Sequence, residues 1–182
     1  GSTHVGKEVM KAAAKQLIPV VLELGGKSPC VVDQTANIEQ AARRIIWGKT
    51  INAGQTCIAP DYVLVHEKVR DRLVDAMKQE IARQWGISAI TNEDYPKIIG
   101  KPQFERLLQL MQGQKILHGG NSSASSLKIE PTLLEPASQA ETVMQEEIFG
   151  PILPVISFSD ILQALNLIDK NPNPLAMYLF AK

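Results

Sequence analysis

Apolar residues return along this chain in two rhythms, and the places where the rhythm changes mark its elements. After the opening stretch GSTHVG, Val5, Val9, Ala13 and Leu17 recur every fourth position, which predicts a helix whose N-terminus is that stretch and which ends by Pro19. PVVLEL and PCVVD are short, apolar and rich in β-branched residues, and with GGKS between them they predict two buried strand segments joined by a tight glycine turn. Asn37 precedes Ile38, Ala41, Ile45 and Ile46, so a helix capped by the Asn37 side chain and buried along one face is expected there. A loop containing Cys57 follows.

DYVLVH then reads as a strand. Val69, Leu73, Met77, Ile81 and Trp85 form one helical stripe, and Phe104, Leu107, Leu108 and Met111 form another. KILHGG, IEPTLL, PILPVISF and LAMYLFA predict later strands, and SDILQALNLIDKN predicts a helix with Ile161, Leu165 and Ile168 inward. GGNSSASS has the composition of a flexible surface loop. Strands that alternate with helix-length connections predict an α/β domain, a mostly parallel sheet flanked by helices. No internal repeat interrupts the pattern.

Length and charge narrow the picture. With 182 residues, 45% of them hydrophobic, the chain supports one core and is expected to form one domain. Nineteen basic and nineteen acidic residues cancel without forming blocks, so nucleic acid is not an expected partner. No run of eighteen apolar residues and no charged-then-apolar leader occurs, so neither a membrane segment nor secretion is expected, and a cytoplasmic location is the default. Two cysteines suit a reducing compartment, and the three histidines pair with neither at metal-ligand spacing; no metal site is expected.

The candidate chemistry lies in the loops. GSTHVGKE comes within one residue of a phosphate-binding P-loop, but Glu8 stands where the magnesium-binding hydroxyl belongs. Cys30, in SPCVVD, reads as a small core hydrophobe, whereas Cys57, in NAGQTCIAPD, lies among turn-forming and polar residues. Glu23 falls inside the apolar run PVVLELGG, where an acid needs a partner, an exposed strand end or a catalytic use. A carboxylate and a thiol on separate loops are the parts of covalent catalysis followed by water attack. Three readings stay open on these residues: that chemistry, a cofactor-independent thiol esterase or hydrolase using Cys57 with Glu23 or His66, and a non-catalytic folded domain.

LELGGKSP around Glu23, GQTC around Cys57 and EEIFGP around Glu147 and Phe149, in this order and with GSTHVG upstream, resemble the aldehyde dehydrogenase superfamily. WGKTINAG and TCIAPDY look most like its class 3 branch of fatty and aromatic aldehyde dehydrogenases. The resemblance implies NAD(P)-dependent oxidation of an aldehyde to an acid, with Cys57 as nucleophile and Glu23 as the base that activates water. It implies further that NAD or NADP is held by Gly1, Ser2, Gly6, Leu24, Glu147 and Phe149, that the partner is a small aldehyde, and that the parent enzyme is a homodimer. It covers all 182 residues but only the catalytic-domain half of a family chain, with residues 1–18 matching the last part of the dinucleotide-binding domain. The asparagine that supplies a second oxyanion donor and the strands that bind adenosine belong to other parts of a family chain, so these residues alone are expected to bind NAD(P) weakly and not to turn over.

Overall fold

The computed structural model describes residues 1–171 and 174–182. In chain order the elements are α1 (Thr3–Ala14), β1 (Pro29–Val32), α2 (Ile38–Thr50), β2 (Tyr62–His66), α3 (Arg70–Trp85), α4 (Lys101–Met111), β3 (Lys115–His118), β4 (Ser122–Ser123), β5 (Lys128–Ile129), β6 (Thr132–Glu135), α5 (Thr142–Gln145), β7 (Ile152–Phe158), α6 (Ile161–Asp169) and β8 (Tyr178–Phe180). Six strands form one sheet in the order β3-β6-β7-β2-β1-β8. Every pairing in it is parallel except β3 with β6, so the expected α/β architecture is the observed one.

The continuous apolar runs are explained by burial on both sheet faces. Along β2, Val63 and Val65 face the layer made by α2 and α3, where Ile38, Ile45, Leu73 and Met77 are buried. Tyr62 and Leu64 face the other way, toward Phe104 and Leu107 of α4. The period of two in a strand thus feeds two cores from one run. Cys30, opposite Val63 in β2 and Tyr178 in β8, has no exposed surface and belongs to the core, as its neighbours in sequence imply.

Four expectations need correction. PVVLEL is not a strand: residues 19–28 are irregular, and among the described residues the backbone of residues 19–25 bonds only to Gly1, through Gly1 N to Glu23 O at 2.8 Å and Gly25 N to Gly1 O at 3.2 Å. An apolar run without a neighbouring strand has no ladder to join, and Val21 is fully exposed. The α1 stripe is likewise exposed at Val5, Val9 and Leu17, because no described element covers it. In α6 the buried residue is Ala164; Ile161 and Leu165 face outward and Ile168 is half-buried. GGNSSASS is not a plain loop, since Ser122 and Ser123 pair with Ile129 and Lys128 in a two-stranded ribbon. The single turn of α5 was not legible in the sequence; it buries Val143 and Met144 beneath the EEIFGP segment.

Candidate active site

Three loops meet at one end of the sheet, and sequence order explains how. Glu23 lies just before β1, Cys57 just before β2, and Glu147 and Phe149 just before β7. In a parallel sheet the segments that enter adjacent strands share an edge, and β1, β2 and β7 are adjacent. Gly1, Ser2, Glu23, Cys57, Glu147 and Phe149 accordingly line a single cavity of about 960 Å³. Gly6 and Leu24 stand behind its wall, where both Leu24 methyl carbons lie close enough to touch any side chain placed at Gly6, at 3.0 and 3.1 Å.

The Cys57 loop is held in an unusual backbone form. Asn52, Ala53 and Gly54 all have positive φ, of 50°, 52° and 72°. This region is costly for a residue with a Cβ, so the surroundings must enforce it at Ala53, which is fully buried. Gly54 is required: a Cβ there would strike the Gly150 carbonyl. That close approach joins the Cys57 loop to the EEIFGP loop, in which Phe149 also has a positive φ of 50°. Gln55 braces the same loop, donating to Asn52 O at 2.9 Å and Lys97 O at 3.1 Å and accepting from Ile99 N at 2.9 Å. Among the described residues the Cys57 amide has no acceptor, which leaves it free to donate to a ligand.

Glu147 turns inward. Its carboxylate occupies the space above Gly25 where a Cβ would otherwise sit, so a side chain at that position would push the carboxylate out of its place. Burial raises its proton affinity above the ordinary carboxylate value, partly opposed by the Gly26 amide. Glu23 is exposed toward the cavity. Ser2 caps α1, its Oγ accepting from Val5 N at 3.3 Å, and the uncompensated amides of that first turn open on the cavity.

Residues that motif reading passed over hold this arrangement together. Lys27 is buried and its Nζ donates to Asp61 Oδ2 at 2.5 Å, Val143 O at 2.9 Å and Glu146 O at 2.9 Å. Asp61 Oδ1 accepts from Ile148 N at 3.0 Å, so one ion pair grips the backbone on both sides of Glu147. Arg106 on α4 grips it from outside, bonding Glu146 Oε1 at 2.5 Å, Glu147 O at 3.3 Å and Ile148 O. The signals were present: a lysine in GGKS and an acid opening the apolar run DYVLVH are both expensive to bury unless paired. Lys49 is different, a fully buried ammonium without a hydrogen-bond partner among the described residues, whose pKa burial lowers to about 8.

His66 does not join the site. It ends β2, at the opposite end from Cys57, where its Nδ1 accepts from Lys68 N at 3.2 Å and its ring meets Phe158 edge-on. The Cys57–His66 pairing is therefore ruled out by the length of the strand between them. On the other side of the Cys57 loop, Thr56 and Ile58 help to line a second, largely apolar cavity of about 590 Å³ with Trp47, Ile51 and Tyr178. Tyr178 Oη donates to Ile58 O at 2.6 Å and ties that wall to β8. Cys57 thus stands between a polar chamber and an apolar one.

A strained loop that carries a thiol, the Glu23 and Glu147 carboxylates and a helix N-terminus open on one chamber at the strand-entry edge of a mostly parallel α/β sheet. The chain belongs to the aldehyde dehydrogenase family, whose profile, described as "Aldehyde dehydrogenase family", matches residues 1–182. It is 46% identical over 181 residues to aldehyde dehydrogenase family 3 member A2 of Rattus norvegicus, covering 100% of this chain and 37% of that protein. It is 44% identical over 181 residues to the dimeric NADP-preferring aldehyde dehydrogenase of Canis lupus familiaris, covering 100% of this chain and 40% of that one. A substrate-bound structure of Staphylococcus aureus AldH superposes with a TM-score of 0.96 at 44% identity, covering 100% of this chain and 40% of that one. The chain therefore spans well under half the length of the relatives it matches.

Proposed function

We propose that these residues form the catalytic part of an NAD(P)-dependent aldehyde dehydrogenase, which oxidises an aldehyde to a carboxylic acid through an acyl group carried on Cys57. The observation that carries this reading is the convergence of Cys57, Glu23 and Glu147 with the α1 N-terminus on one chamber. The residues fit a dinucleotide. The free amides at the start of α1, beside Gly1 and Ser2, suit a pyrophosphate, and the Gly25 cradle presents the Glu147 carboxylate to a ribose hydroxyl, with Phe149 beside it.

The chain's own groups do the following. The Cys57 thiolate adds to the aldehyde carbon, forming the C–S bond, and the Cys57 amide donates to the oxyanion that develops. A bound nicotinamide supplies a hydride acceptor. The acyl group left on Cys57 is a thioester, and Glu23 removes a proton from water as that water attacks it, releasing the acid and the thiol. Glu147, gripped by Lys27, Asp61 and Arg106, fixes where the cofactor's ribose sits and so aligns it with Cys57. The apolar cavity behind Thr56 and Ile58 supports a substrate with an apolar tail. The relative from Canis lupus familiaris is dimeric by name, and a homodimer is proposed for the full-length enzyme on that ground.

In the full-length enzyme, Glu23→Gln is expected to leave a single burst of reduced cofactor while steady-state turnover falls by on the order of 10²-fold or more. Cys57→Ala is expected to abolish the burst. A Glu23→Gln enzyme with unchanged steady-state turnover removes Glu23 from the mechanism, and a burst that survives Cys57→Ala removes the thiol.

A further inference from the structure

The apolar cavity has one charged residue in its wall, and that residue has no carboxylate partner among the described residues. Arg70, Arg72, Arg83 and Arg106 each meet a carboxylate. Arg43 and Arg44 meet none among the described residues, yet Arg44 lines the apolar chamber alongside Ile45, Trp47, Ile51 and Phe180. Arg44, Trp47 and Ile51 also line an adjoining cavity of about 610 Å³ that contains Arg43 and Arg83. Arg44, an exposed residue of α2, thus borders both the apolar cavity and the basic one.

The depth of the passage follows from the helix that walls it. Ile51, just past the end of α2, marks the Cys57 end, and Arg44 lies seven residues back along the helix. At 1.5 Å per residue this is about 10 Å. Such a distance corresponds to roughly eight carbons of an extended saturated chain, given carbon–carbon bonds of about 1.5 Å. Arg83 is already spent on Glu80, with Nη2 at 2.5 Å from Oε1, and the carbonyl end of α3 offsets part of the remaining charge, so Arg43 and Arg44 supply the net positive potential. A planar guanidinium prefers a planar oxyanion that can accept two parallel hydrogen bonds, and a carboxylate meets that description.

We infer that Arg44 forms a subsite for an acidic group at the far end of the substrate, so that the preferred aldehydes are medium-chain ω-oxo acids, with an aldehyde at Cys57 and a carboxylate at Arg44. The inference rests on the aldehyde-oxidising reading above and adds the identity of the substrate's other end. An all-apolar aldehyde of the same length fills the passage but leaves the guanidinium unpaired.

Steady-state oxidation of octanal and of suberic semialdehyde by the full-length enzyme, with Arg44→Met beside wild type, tests it. Arg44→Met keeps much of the stem's apolar contact and is expected to raise KM for the semialdehyde about ten-fold, the worth of one partly exposed charge-assisted pair, while octanal changes less than about two-fold. Equal effects on both substrates, or none on either, overturn the subsite while leaving aldehyde oxidation standing. A second measurement does not depend on turnover. Trp47 lines both chambers and Trp85 the basic one, so the part of the intrinsic fluorescence change that Trp47→Phe removes reports occupancy in the full-length enzyme. Suberate is expected to perturb it at concentrations about ten-fold lower than octanoate, and Arg44→Met to erase the difference. That preference without oxidation of either aldehyde would sink the reaction and keep the subsite; no preference in wild type sinks the subsite.

Discussion

Lys27→Met isolates the internal clasp that shapes the site. In the native protein the Lys27 and Asp61 side chains are only 5% and 4% exposed, and Lys27 bonds Asp61, Val143 O and Glu146 O. Methionine keeps much of the apolar stem, so little packing is lost. What remains is a buried Asp61 carboxylate whose side chain, among the described residues, keeps one hydrogen bond, from the Ile148 amide, with the Lys49 ammonium near but not bonded to it. Removing one partner of a buried pair typically costs about 3–5 kcal/mol, chiefly because the other charge is stranded. That is a large part of the roughly 5–15 kcal/mol by which a domain is stable. With a urea dependence of about 2 kcal/mol per molar, the unfolding midpoint should fall by about 2 M. Lys27→Met/Asp61→Asn should recover part of that loss, because it removes the stranded charge and keeps an acceptor for Ile148 N. Urea titrations of wild type, both single variants and the double variant, followed by tryptophan fluorescence, measure all four corners of the cycle. A Lys27→Met midpoint within about 0.3 M of wild type, or strictly additive effects, would refute the stranded-charge account.

Three further outcomes follow from the geometry. Brief alkylation of the native protein should label Cys57 and spare Cys30, since Cys30 is fully buried with its thiol pushed well above its ordinary range; peptide mass spectrometry showing equal labelling would count against the assignment of Cys57 as nucleophile. Lys49, lowered by burial from 10.5 to about 8, binds fewer protons folded than unfolded between those values. Stability should therefore rise with pH through that window, by on the order of 3 kcal/mol in the limit, and Lys49→Met should be more stable at neutral pH and flatten the rise; urea midpoints at pH 7 to 10 that do not move would contradict it. Burial raises the Glu147 carboxyl, so its ionisation costs stability as pH climbs past the ordinary carboxylate value. Glu147→Gln should remove that loss yet weaken NAD(P) binding in the full-length enzyme, and calorimetry showing unchanged affinity would take Glu147 out of the cofactor site.

Sequence alone determined the alternation of strands and helices, the burial of β1, and the residues proposed to carry the chemistry, because these depend on local periodicity and on residue types that few other environments tolerate; the burial of β2 on both faces was not among them, since DYVLVH reads as an alternating strand. Cys57 could be told from Cys30 by its neighbours, and Glu23 stood out as an acid in an apolar run. The remaining determinants depend on contacts between segments far apart in the chain. PVVLEL has a strand's composition but no strand beside it, and the α1 and α6 stripes have the right spacing but face no described layer. Lys27 and Asp61 are separated by 34 positions, and each is an ordinary charged residue until the fold buries both. Gly54 meets Gly150 across 96 positions, and that backbone contact sets the Cys57 loop beside Glu147. Tertiary structure decided these features because burial, pairing and strain arise only when distant segments exclude water from one another.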